Sequence, residues 1–172
     1  MLGFNLVRAI QVTQVCRDAG HMYAYGTDFS QSANQNLLVS LASGLNMTRT
    51  GGNGVIILST ITYADASVCQ QAGLQNNCHN QGKAVFTRRI IIGNQGFHTS
   101  AFGTPASNIM DSSGNISNSL TDASAVANGF LDVVPLQSST QLAYLAEMWV
   151  TSPDYNWWSA FGTTGSSARA IF

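Results

Sequence analysis

Hydrophobic and polar positions along this chain change period once. From Met1 to Leu45 the spacing is helical, running through Leu6, Ile10, Thr13 and Arg17 and through Val12, Val15, Ala19 and Met22, so apolar side chains fall on more than one face. The pattern predicts one long helix over Met1–Leu45. A helix that is apolar nearly all round must be buried in its own domain, in a membrane or among neighbouring copies. At 1.5 Å per residue it would span about 65 Å, more than the diameter of a domain of this size, so part of it is expected to project and to need a partner. A bilayer span needs about 20 predominantly apolar residues. Here Asn5, Arg8, Gln11, Gln14, Arg17 and Asp18 interrupt any such run, so no intact transmembrane span is expected. The segment lacks the basic leader of a secretory signal and reads as the second half of a hydrophobic helix whose first half is missing.

Beyond the cluster Gly51, Gly52 and Gly54, which stops the helical pattern, short β-branched runs take over. Val55–Tyr63 and Lys83–Ile92 read as two strands pairing antiparallel through the loop that holds Cys69 and Cys78. Gln141–Thr151 reads as a third strand, although Leu142, Leu145 and Met148-Trp149 would also suit a helix; its β context decides the assignment. Ser166–Phe172 closes the chain as a final strand. Gly129–Pro135 reads as a short extended piece, and residues 97–128, rich in Ser, Gly, Asn and Ala, as a long surface loop. The expected fold is α+β: a long N-terminal helix packed on, and projecting from, a mainly antiparallel sheet of about four strands. Residues 1–50 would form the helical assembly element and 51–172 the β-rich globular part.

Composition sharpens this picture. Only 9% of residues are charged, against about 25% in ordinary domains, and the deficit is filled by Ser, Thr, Asn, Gln and Gly. A neutral, amide-rich surface tolerates contact with copies of itself, because few charges must be desolvated or paired. The net charge of −1 offers no handle for nucleic acid, and Arg88-Arg89, the one basic doublet, reads as a solvated or edge-strand pair. Cys69 and Cys78 flank a polar, Gly-containing loop, where a disulfide is geometrically easy and implies an oxidising compartment. Cys16 is left as a small buried apolar residue on the helix.

Catalytic chemistry finds little footing. His21 reads as an ordinary helix residue beside Tyr23 and Tyr25. Cys78-His79 lacks the second ligand pair of a metal site. The carboxylates are scattered; Glu147, in a strand beside Trp149, has a buried acid as its minor reading and a solvated or arginine-paired carboxylate as its main one. No catalytic residue, metal or cofactor is expected. Asn46-Met-Thr48 and Asn115-Ile-Ser117 are weak glycan-acceptor matches.

Phe4–Ala19, with its Arg8-Ala9 and Arg17-Asp18-Ala19, then Gly54–Ser59, Val85–Asn94, Tyr144–Val150 and Ala168–Phe172 together resemble the TadE-like pseudopilins of tight-adherence pilus systems. The resemblance covers most of the chain except residues 97–128, and the order of the motifs carries it. It implies an exported bacterial envelope protein with a pilin-type helix-plus-sheet fold, serving pilus assembly or filament structure without catalysis.

The first functional expectation is therefore a structural subunit of an extracellular filament on the bacterial cell surface. Its partners would be copies of itself and other pilus components, with no nucleic acid. The assembly interface would be Leu2, Phe4, Leu6, Val7, Ile10, Val12 and Val15. The alternative is a non-polymerising minor pilin or adhesin that binds surfaces or glycans through the aromatic patch around Trp157-Trp158 and the 97–128 loop.

Overall fold

A computed structural model of the chain describes residues 2–151 and 165–172, with side chains from Leu6 onward. The helical region is two helices, α1 (Leu2–Ala24) and α2 (Ser32–Leu41), where one had been expected over Met1–Leu45. The break has a local cause. Gly26 takes φ +92°, its N–H donates to Tyr23 O at 3.1 Å, and Thr27 N–H donates to Met22 O at 2.9 Å. This is the Schellman pattern, in which a left-handed residue folds the chain back over the last helical carbonyls. Asp28 then holds the turn, its Oδ1 accepting from Ser30 N and Oγ. Phe29 drops into the core beside Tyr23, with ring centroids 6.5 Å apart.

Four strands follow: β1 (Gly54–Tyr63), β2 (Ala84–Gly93), β3 (Leu142–Thr151) and β4 (Gly165–Ile171). They form one antiparallel sheet in the order β2-β1-β3-β4. β1 and β2 are neighbours as their sequence suggests, and the link between them carries a short helix, α3 (Ala66–Gln71), capped by Asp65. No helix among the described residues is long and apolar enough to cross a membrane.

The chain divides into two units, one of residues 1–58, 91–98 and 145–172 and the other of 59–90 and 99–144. The division falls within the strands, and α1 shares a unit with β4 and most of β3.

In the first unit α1 is anchored by one stripe. Val12, Val15, Cys16, Ala19 and Tyr23 are buried, at the i, i+3, i+4 spacing of a single helix face. Small residues bring the helix close to the strands. Cys16 Sγ donates to Ala146 O at 3.4 Å and lies 3.5 Å from Ala168 O. Gly20 has no room for a side chain, since a Cβ there would run into the Phe172 ring and come within 3.1 Å of Ala146 Cβ.

The second unit shows why residues 97–128 are not a simple surface excursion. From Ser100 onward this stretch buries Phe102, Ile109, Ile116, Ala125 and Ala127. It also covers the free edge of β2: Arg89 N donates to Gly114 O, Ile116 N to Thr87 O, and Ala127 N to Ala84 O. An edge strand's unpaired amides are a liability in any sheet, and here the chain satisfies them itself. Gly129–Pro135 is not extended but holds a 3-10 turn, Phe130–Asp132, entered through Gly129 at φ +70°. The basic doublet lies on β2, an edge strand of the sheet, as one of its two expected readings had it, but Arg89 is not solvated. Arg89 is buried, with Nε donating to Ser59 Oγ, Nη1 to Gly103 O, and its guanidinium 4.2 Å from the Phe86 ring centre.

Candidate functional site

The expected interface splits along α1. Leu6, Val7 and Ile10 are 64%, 62% and 48% exposed, whereas Val12 and Val15 are buried in the chain's own core. The two valines therefore have no surface to offer a partner. The side chains of Leu2 and Phe4 lie outside the described residues. Among the described side chains of α1, Leu6, Val7 and Ile10 are the large apolar ones left exposed, and they form a shoulder. In the same unit α2 exposes Leu37 and Leu41, at 50% and 42%, one helical turn apart, while Leu38 is buried. Sequence reading missed this pair because it folded α2 into a single long helix. The i, i+4 spacing of Leu37 and Leu41 was the available signal.

Several ionisable groups of this unit are held in structural contacts. Glu147 is buried and its Oε1 lies 3.3 Å from Arg169 Nε, across a register that sets the two residues opposite each other on β3 and β4. The expectation of an arginine partner holds; that of solvation does not. Burial first, and the Glu147 carboxylate second, push the Cys16 thiol up to about 12, so it stays protonated and donates its S–H to backbone. His21 stacks on Tyr25, with centroids 6.2 Å apart, and also meets the Phe172 ring at 4.2 Å.

In the second unit Cys69 and Cys78 form the disulfide, with Cα atoms 5.8 Å apart. That bond commits the Cys78 sulfur and removes it as a thiolate ligand beside His79. Among the described residues no group of three or more His, Cys, Asp or Glu side chains is placed to hold a metal ion. Three aspartates are held below the usual carboxylate range by hydrogen bonds that favour their charged form. Asp65 accepts chiefly from Ser139 N and also from Val68 N and Ser67 Oγ. Asp111 accepts chiefly from the Asn115 side chain, and Asp122 from the Ser124 hydroxyl. Each closes a turn.

Asn115 is exposed, but its amide nitrogen donates to Asp111 Oδ2, while Asn46 sits exposed in a turn at φ +52°. Trp157, Trp158 and the rest of the Tyr155–Phe161 patch lie outside the described residues. No protein-family model, curated protein or solved structure matches the chain. The resemblance to tight-adherence pseudopilins accordingly rests on the sequence stretches alone.

Proposed function

We propose that this protein is a structural subunit of an extracellular, pilin-type bacterial filament, assembling with copies of itself through the exposed shoulder of α1. The observation that carries the reading is the helix's two-sided character: one stripe is locked to the sheet, while Leu6, Val7 and Ile10 remain in solvent. An apolar patch held on a rigid element is a common mark of an interface. The nearly neutral composition supports the reading, since repeated self-contact then desolvates few charges.

Magnitudes favour a filament over an isolated pair. Burying each of the three large side chains contributes roughly 1.5–3 kcal/mol. Association costs about 4–15 kcal/mol in lost freedom, so one such contact is marginal. In an open helical arrangement a subunit that makes several contacts incurs the association cost once for all of them, and Leu37 and Leu41 supply further apolar area for such contacts. The test is the double variant Leu6→Asp/Ile10→Asp. Both side chains are exposed, so the fold should keep its circular dichroism while sedimentation and negative-stain microscopy show loss of assembly. Fibres unchanged in the double variant would refute the proposal.

A further inference from the structure

A groove of about 460 Å³ opens in the first unit where β3, β4 and the segment after β2 meet. Its walls include Phe97, His98, Trp149, Thr151, Ser166 and Ser167. Its construction follows from strand alternation. Trp149 and Thr151 point to one face of β3, and the register sets Ser167 and Gly165 opposite them on β4. The β4 side is thus kept low by a hydroxymethyl group and a bare backbone. Gly165 is itself a packing requirement, since a Cβ there would come within 2.8 Å of Val150 O. The opposite wall is brought in by the turn after β2, where Asn94 O accepts from Phe97 N at 3.0 Å. This delivers His98, whose imidazole lies parallel to the Trp149 indole at 8° and 4.2 Å between centroids.

The geometry points to a binding site for a neutral saccharide, with a pyranose ring seated against Trp149 and its hydroxyls meeting Thr151 and Ser167. Among the described residues no Asp, Glu, Lys or Arg lines the groove, and its walls are mainly aromatic rings, hydroxyls and backbone, which suit an uncharged ligand. A purely apolar ligand would desolvate the two hydroxyls with nothing in return. A pyranose presents an apolar face of C–H groups and a rim of hydroxyls, matching an aromatic wall with a polar edge. The volume lies within the range of small-ligand sites, about 300–1,000 Å³. The groove's lining includes none of Leu6, Val7 and Ile10, so the proposal does not rest on filament formation.

Chitohexaose, maltohexaose and cellohexaose are the probes, each titrated onto the full chain and followed by saturation-transfer NMR, which reads ligand binding whether or not the protein is assembled. At least one should show saturable binding with Kd between about 0.1 and 10 mM, a range ordinary for a single shallow site. Ser167→Ile fills the groove from an exposed strand position that suits a β-branched residue, and should weaken binding at least about tenfold. Ser167→Ala, which removes only the hydroxyl, should weaken it several-fold and serves if the isoleucine variant fails to fold. Thr140→Ile, at an exposed site in the other unit, should leave binding unchanged. The proposal is overturned if no probe binds by about 10 mM, if binding survives both Ser167 variants, if Thr140→Ile weakens it equally, or if indole binds where every saccharide fails.

Discussion

Opening the Cys69–Cys78 disulfide should destabilise the protein by about 2.6 kcal/mol without altering its native structure. The bond closes a short loop, with a sequence separation of 9. In the chain-entropy model such a cross-link removes 2.1 + 1.5R ln n cal/mol/K from the unfolded ensemble, about 8.7 cal/mol/K at this loop length, hence about 2.6 kcal/mol at 25 °C. Independent anchors hold the loop's flanks in the folded state. Asp65 caps α3 and accepts from Ser139 N, while Asn80 Nδ2 donates to Ser119 O and Asp122 O. The effect should therefore reside in the unfolded chain, leaving the native near-ultraviolet circular dichroism unchanged. A domain of this size shifts by about 2–4 °C per kcal/mol, so the melting temperature should fall by roughly 5–10 °C. The assay is thermal and urea unfolding of oxidised protein, reduced protein and Cys69→Ala/Cys78→Ala. Alkylation after denaturation should label one of the three cysteines without reductant and all three with it. Equal urea midpoints for the oxidised and reduced forms would refute the reasoning, because a closed loop must restrict the unfolded chain.

Gly20→Leu should cost about 1–3 kcal/mol or more, since the side chain would have to displace the Phe172 ring and press on Ala146; urea unfolding measures it, and an unchanged midpoint would show that α1 does not lie this close to the strands. The lowered pKa values of Asp65, Asp111 and Asp122 fix the sign of an acid effect: their contribution is complete above the unfolded-state value near pH 4 and is lost as pH falls through the lower folded-state values. Solvent screening at these exposed carboxylates keeps the effect modest. Urea midpoints should hold steady from pH 7 to about 5 and drop below about pH 4, and Asp65→Asn should shrink that drop. A midpoint that rises on acidification would contradict it.

Where local pattern sufficed, the sequence was readable. All four strands lie within about a residue of their expected bounds, because β-branched runs such as Val55–Tyr63 and Lys83–Ile92 end at glycines and polar turns whose chemistry is local. The disulfide was legible for the same reason. The break between α1 and α2 was also written locally, in Tyr25-Gly26-Thr27-Asp28. The helical spacing that resumes beyond the turn hid it, since periodicity alone does not register one residue at positive φ.

The candidate sites depended on more than local pattern. Apolar residues run around much of α1, and nothing in their spacing separates Val12 and Val15, which the sheet covers, from Leu6, Val7 and Ile10, which it does not. Only the docking of a small-residue stripe, Cys16, Ala19 and Gly20, selects the buried face. Arg89 is charged and sits in a doublet, yet its burial is decided by Ser59, Gly103 and Phe86, partners supplied by other segments. The stack of His98 on Trp149 joins residues about 50 positions apart, and the residues facing Trp149 come from the β3–β4 register. By itself the sequence determined the four strands and their limits, the helical character of the N-terminal region, the disulfide and the low charge content, because these follow from neighbouring residues and overall composition. Tertiary structure alone decided which helix face is buried, how the free edge of β2 is covered and where aromatic and hydroxyl groups converge, because each depends on contacts between segments far apart in the chain.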